Sequence, residues 1–277
     1  MSHALLSWAS HLYLFAAILY LAYFARSHAK IAWAALVALA VGFALHAAVL
    51  VLRFAAGGYT PGTSLGEGLS LFGWLLVAGF LAVQWRYRLP IIGAFVMPLV
   101  VAVVLPAVLL RNPEAGHANP VPEALRVAGM PVHIAIAFAG IAAFGLATGV
   151  AAAYLLLERQ VKHKHFGVLF SRLPSLDVLD GLGNSLMRWG FLALSVTLIS
   201  GAFFAKQAWG DYWRWDPKLT LSLVGWLVYA ALVHARMFAG WRGRRAALLT
   251  MVGFVILFGS FVGLRIFPTG VHTGEFK

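Results

Sequence analysis

The sequence predicts an all-α fold: a polytopic membrane helix bundle of about eight transmembrane helices, with both termini on the non-cytoplasmic side. Three observations predict it. Of the 277 residues, 62% are hydrophobic and 11% charged. Soluble domains run at about 45–50% apolar and about 25% charged, so this chain carries more apolar surface than one aqueous core can bury. The apolar residues fall into runs close to the roughly 20 that a helix needs to cross a bilayer. The 21 lysines and arginines outnumber the 9 acids and gather in alternate connections. The composition excludes a soluble enzyme and a disordered chain. The absence of cysteine excludes a disulfide scaffold, a thiolate metal site and thiol chemistry by the protein itself.

The first run, Leu5–Ala25, lacks a basic leading segment and a small-residue cleavage pattern, so it is expected to persist as a mature helix rather than act as a signal peptide. Arg26 and Lys30 separate it from the second span, Ile31–Ala55. The third, Leu65–Trp85, ends at Arg86 and Arg88, before the fourth, Leu89–Leu110. The connection Arg111–Gly129 is rich in Pro, Asn and Gly and reads as irregular. Span five, Met130–Leu157, leads into the long connection Leu157–Arg188, which holds Arg159, Lys162, Lys164 and Arg172. Spans six, seven and eight are Arg188–Ala208, Leu219–Ala239 and Ala246–Phe267. All are expected to be helices, because unpaired backbone is too costly in lipid.

Thirteen of the 21 basic residues lie in or beside the connections after spans one, three, five and seven, the last group being Arg236, Arg242, Arg244 and Arg245. The positive-inside rule puts those connections in the cytoplasm and both termini outside. The strip Arg242–Arg245 reads as ordinary anchoring at the lipid surface, and no nucleic-acid partner is expected. No internal repeat or appended soluble domain is evident. Residues 1–277 therefore read as a single integral membrane domain with an external tryptophan-rich segment at about 206–218.

That segment runs Trp209-Gly210-Asp211-Tyr212-Trp213-Arg214-Trp215-Asp216-Pro217-Lys218, placing three of the ten tryptophans within seven residues. If it is helical, Trp209 and Trp213 share a face and make a flat apolar surface framed by Lys206, Arg214 and Lys218. Such a surface suits a flat, apolar, dianionic ligand, for which heme with its two propionates is the candidate. The same residues also read as an interfacial aromatic belt, with Asp216 as N-cap and Pro217 at the first helical position of span seven.

The string Trp-Gly-x-Tyr-Trp-x-Trp-Asp-Pro-Lys resembles the tryptophan-rich (WWD-type) signature of the cytochrome c assembly family. The likeness extends to Leu232-Val-His-Ala-Arg236, the Gly240–Ala246 connection and Gly270-Val-His272, and so covers about the last 150 residues. Within the family it is most similar to the CcsA (ResC) branch, the heme-handling subunits of the system II cytochrome c synthase. One departure stands out: the family usually continues Asp-Pro-Lys with Glu-Thr-Trp, whereas this chain has Leu219-Thr220-Leu221.

Without cysteine, the axial ligand expected from the protein for heme iron is histidine, with methionine as the alternative. Of the ten histidines, His28, His163 and His165 lie beside Arg and Lys in cytoplasmic connections and read as solvated surface. His133, at the outer beginning of span five, and His272, after span eight, fall on the side of the tryptophan segment. On the residues alone, His133 reads equally as an interfacial cap and His272 as a mobile terminal residue. The resemblance implies that both match the family's paired external heme ligands.

His234 lies about five residues before the cytoplasmic end of span seven, where an ionisable side chain is a functional candidate by default. A neutral His bonded to a neighbouring helix is the alternative, and the resemblance implies a transmembrane heme ligand. His46 stands about 22 Å above the cytoplasmic surface and His234 about 7 Å, at 1.5 Å per residue. One iron does not easily bridge that difference, and His46 reads as a packing residue, with a place in the outer chamber as the alternative. His11 and His117 are weaker candidates.

The resemblance implies a cytochrome c biogenesis subunit of the bacterial cytoplasmic (inner) membrane. Such a subunit binds heme b, moves it outward and presents it for covalent attachment to the Cys-x-x-Cys-His motif of an apocytochrome c. It does so within a complex of heme lyase type, with a CcsB (ResB)-like membrane subunit supplying the second transmembrane ligand. No catalytic side chain is implied; the protein's task is to orient heme and exclude water. The alternatives are a heme-binding chaperone of the CcmC type and a related membrane protein without attachment activity. A respiratory b-type cytochrome fits poorly, since no span carries two histidines half a bilayer apart.

Overall fold

The computed structural model describes residues 2–55, 64–110, 129–164 and 167–266. Among these the chain forms α1 (Ser2–Arg26), α2 (Ala29–Ala55), α3 (Leu65–Tyr87), a 3-10 turn (Pro90–Ile92), α4 (Gly93–Leu109), α5 (Met130–Lys162), the short α6 (Val168–Arg172), α7 (Leu176–Trp209), α8 (Pro217–Phe238) and α9 (Arg244–Ile266). Eight of these helices are long and apolar enough to cross a membrane, as expected, and the protein is a multi-pass all-α membrane protein. Local chemistry sets several boundaries. Ser64 caps α3 by accepting the Glu67 N–H at 3.2 Å, and Arg88 in the left-handed region closes the same helix. Pro98 and Pro106 lie inside α4, tolerated there as in other membrane helices because neighbours re-satisfy the backbone.

The sixth span differs most from expectation. The hydrophobic run suggested Arg188–Ala208, but α7 begins at Leu176, so much of the expected long connection is helix. Ser175 caps it, its hydroxyl accepting the Val178 N–H at 3.4 Å, and Asp177 in the first turn favours the positive end of the helix dipole. Asp180 lies within this added stretch. In the fold its charge is paired: Arg236 of α8 reaches both carboxylate oxygens at 3.0 and 3.1 Å, and the Gly243 N–H donates to one of them at 3.1 Å. Bidentate geometry and an added backbone donor offset the cost of burying the charges. The contact ties α7, α8 and the turn before α9 together at the end opposite the tryptophan segment.

Helix α5 is the hub of the bundle, packing against α3, α4, α7 and α9, while α1 packs against α2 and α4, and α8 mainly against α9. Small residues let α5 and α7 approach closely: a Cβ on Gly140 would lie 3.2 Å from that of Ala193. Across the middle of this half of the bundle, the rings of Phe144 (α5) and Tyr229 (α8) stack with centroids 3.5 Å apart and planes 9° apart. Both rings are fully buried. Gly190 of α7 covers the outer face of Phe144 and Gly253 of α9 packs against Tyr229; a Cβ at either would fall within 2.7–2.8 Å of the ring. The Tyr229 hydroxyl donates to the Thr250 carbonyl at 2.9 Å.

A second, polar tie joins α1, α2 and α3. His46 is fully buried, its Nε2 2.8 Å from Ser70 Oγ and its Nδ1 3.3 Å from the Tyr13 hydroxyl. Both ring nitrogens are thus occupied within the bundle, and His46 is a packing residue rather than part of an outer chamber.

Two stability predictions follow from these contacts. Gly190→Ala or Gly253→Ala overpacks the Phe144–Tyr229 stack and is expected to cost about 1–3 kcal/mol, read as a lower thermal unfolding midpoint in detergent. His46→Leu strands two buried hydroxyls and is expected to cost about 1–3 kcal/mol. Adding Tyr13→Phe and Ser70→Ala should then recover much of the loss, and a triple variant as unstable as His46→Leu alone would contradict the hydrogen-bond explanation.

Candidate functional site

The tryptophan segment joins α7 to α8. Helix α7 stops because Gly210 adopts φ 83°, a left-handed conformation open to glycine at little cost, and its N–H closes the helix onto the Lys206 carbonyl at 3.0 Å. This corrects the expectation of a common helical face for Trp209 and Trp213: the chain leaves the helix between them. The described indole pair is instead Trp213 and Trp215, set edge to face at 5.8 Å and 84°. Trp213 is half-buried and Trp215 is 83% exposed. Tyr212 packs edge-on against Phe203 of α7 at 6.2 Å and receives the Lys206 ammonium over its ring at 5.2 Å. Arg214 lies 3.9 Å from Asp211, both exposed.

Asp216 is 3% exposed and serves as the N-cap of α8, its Oδ1 accepting the Lys218 N–H at 2.9 Å, with Pro217 at the first helical position. The capping role read from the sequence holds. Leu219 and Leu221, in place of the family's acid and aromatic, are half-buried in the first turns of α8.

His133 stands one turn inside α5, half-buried against α7. Its Nδ1 lies 2.8 Å from Ser200 Oγ, and its ring meets Phe204 edge-on at 5.3 Å and 80°. A Cβ on Gly201 would lie 3.3 Å from Cε1 of the imidazole, so glycine leaves the ring its seat. Among the described residues Nε2 has no hydrogen-bond partner. Phe204, which the ring meets, adjoins Phe203, which packs against Tyr212, so His133 stands at the end of α7 that leads into the tryptophan segment. Ser200, Gly201 and Phe204 were not legible as site residues in the sequence; their only signal was a Ser-Gly pair within an otherwise apolar run.

The remaining candidates separate cleanly. His234 is exposed on the outer face of α8, its ring 4.5 Å from that of Phe238. It is not bonded into a neighbouring helix, which removes that alternative among the described residues. His11 is exposed and its Nδ1 is 2.7 Å from the Ser7 carbonyl of its own helix. His272 and His117 lie outside the described residues, as does His165, and the Trp209 side chain is not described. No group of three or more histidine and acidic side chains converges on a common metal position among the described residues. The donor described here is the imidazole of His133, with the Ser200 hydroxyl and the Phe204 ring beside it. An imidazole nitrogen is a donor of the kind that holds heme iron.

The sequence profile of the family described as "Cytochrome C assembly protein" matches residues 63–272, from the start of α3 to the histidine beyond α9. The chain is 32% identical to "Cytochrome c biogenesis protein CcsA" of Synechococcus sp. (strain CC9902), covering 84% of each chain. To the protein of the same name from Guillardia theta it is 30% identical, over 81% of this chain and 80% of that one. Among solved structures, "Cytochrome c Heme Lyase CcmF" superimposes with a TM-score of 0.68 at 16% identity, over 99% of this chain and 50% of the other. That likeness is one of fold, and the chain spans about half the length of the larger protein. With a profile match over most of its length and relatives at this identity, the chain belongs to the cytochrome c assembly protein family.

Proposed function

We propose that this protein is the heme-handling subunit of a cytochrome c synthase in the bacterial cytoplasmic membrane, one integral membrane domain with both termini and the tryptophan segment outside. The observation that carries the reading is His133. Its imidazole has one nitrogen engaged by Ser200 and the other without a partner among the described residues, at the end of α7 that leads into the aromatic and cationic segment. In this reading Nε2 of His133 and the imidazole of His272 ligate the iron of heme b. Trp209, Tyr212, Trp213 and Trp215 pack on the macrocycle, while Lys206, Arg214 and Lys218 meet its propionates. Gly210, Asp216 and Pro217 shape the segment by ending one helix and starting the next.

Heme is the cargo and supplies two vinyl groups. At each, a cysteine S–H of apocytochrome c adds across the double bond, carbon–sulfur at one carbon and hydrogen at the other, with no net redox change. The protein's own residues orient and shield. His234 belongs to a second, transmembrane site on the outward face of α8, where a CcsB-like membrane subunit supplies the other ligand. An imidazole facing hydrocarbon alone is costly, and its exposure supports a covered site. A heme chaperone of the CcmC type is the second reading; Leu219 and Leu221, where the family usually carries Glu and Trp, keep open a related membrane protein without attachment activity.

The test is the visible spectrum and pyridine hemochrome of the purified full-length protein, alone and with a CcsB-like subunit. Heme b is expected to co-purify. His234→Ala and His133→Ala/His272→Ala should each change spectrum or occupancy in a different way. A parent that stays heme-free with partner and ample heme overturns the proposal. Heme bound without covalent transfer to a coexpressed reporter cytochrome selects the chaperone reading.

A further inference from the structure

Helix α7 uses one device twice. Ser195 donates its hydroxyl hydrogen to the Phe191 carbonyl one turn back at 2.8 Å and accepts the Trp226 Nε1–H of α8 at 2.9 Å. An indole N–H is only a donor, so the serine there is the acceptor. Five residues on, Ser200 donates to the Val196 carbonyl at 2.7 Å, with the Thr197 carbonyl at 3.2 Å, and meets His133 Nδ1 at 2.8 Å. A hydroxyl has one hydrogen. With that hydrogen on the helix carbonyl, Ser200 presents a lone pair to the imidazole, so Nδ1 carries the hydrogen and Nε2 of the neutral ring is the bare nitrogen. The seat left by Gly201 and the edge of Phe204 hold the ring in that plane.

We propose that Ser200 is a positioning residue for His133: it selects the Nδ1–H tautomer and aims Nε2 at the iron, the part that second partners of metal-bound histidines commonly play. The inference rests on the reading of His133 as an external heme ligand. Nothing else in the described site competes for this role, since the other cations and rings lie on the tryptophan segment or on the α7 turns beyond Ser200.

Two measurements on the full-length protein test it. The first needs no heme. Nitrogen-15 spectra of histidine-labelled protein at about pH 8, above the roughly 6.5 of a free imidazole, should show His133 as the Nδ1–H tautomer, its signal assigned by its loss in His133→Ala. Ser200→Ala should turn it into a tautomer mixture, and Ser200→Thr, which keeps the hydroxyl, should preserve it. The second is a hemin titration. Ser200→Ala is expected to weaken binding about 10-fold or more and raise the reduction potential of the bound heme, with Ser200→Thr near the parent. Ser195→Ala, which breaks the matching bond to Trp226, should leave hemin affinity and potential unchanged.

A tautomer or an affinity that does not respond to Ser200→Ala, while His133→Ala abolishes the signal and weakens hemin binding, overturns the positioning role and leaves the ligand reading standing. If His133→Ala leaves hemin affinity and spectrum unchanged, the ligand reading itself falls and the inference with it. Equal losses in Ser195→Ala and Ser200→Ala reduce the serine to general helix packing.

Discussion

The stack of Tyr229 on Phe144, closed by Gly190 on one side and packed against Gly253 on the other, is the contact on which the functional half of the bundle depends. Helix α8 is otherwise held lightly: only 17% of its most apolar window is buried, against 56% for α5. Tyr229 is where α8 enters the core, and its hydroxyl is bound to α9 through the Thr250 carbonyl. Everything α8 carries is measured from that point. Toward its start lie Lys218 and the buried cap Asp216, which set where the tryptophan segment meets the bundle. Toward its end lie His234 and Arg236. The ion pair of Arg236 with Asp180 joins the far end to α7, so that α8 is tied to the bundle at its middle and at that end.

Three histidines of the membrane spans, His46, His133 and His234, show how environment distinguishes one residue type at different places in the bundle. His46 has both nitrogens taken by hydroxyls of neighbouring helices and is sealed from solvent and ligand alike; interhelical hydrogen bonds of this kind contribute about 1 kcal/mol or less each in a bilayer. His133 has one nitrogen taken and the other available, at the margin of the bundle. His234 has neither engaged by a described residue and faces outward. Satisfied, half-satisfied and unsatisfied are three different chemical states of one side chain: the first is a structural tie, and the other two are the states that the proposed ligand roles of His133 and His234 require.

Serine does much of this allocation. Ser70, Ser195 and Ser200 each place a hydroxyl between helices, and at Ser195 and Ser200 the hydrogen is returned to the helix's own carbonyl. This leaves an acceptor inside an apolar environment at small cost, because no polar atom is stranded. An N–H from a neighbouring ring then finds a partner that fixes its orientation. In a bundle with no catalytic residue implied, orientation is the main commodity the protein supplies.

The sequence by itself determined the spans, the cap at Asp216-Pro217 and the family, because these depend on properties that single residues or adjacent ones carry: apolar area, a short polar side chain before a proline, an unusual string of tryptophans. Depth along a helix, a count of residues, also separated His46 from His234, but left the role of His46 between packing and the outer chamber; its bonds to Tyr13 and Ser70 decided that. Only the tertiary structure decided the length of α7, whose apparent excess of charge at Asp180 is neutralised by an arginine 56 residues away. It also decided that α7 ends at Gly210, separating the turns that carry Trp209 and Trp213, and that Ser200 faces His133 across 67 positions of chain. Periodicity assigns each residue a desolvation cost on its own. Which costs are cancelled by a partner from another helix is a property of packing, and no local pattern encodes it.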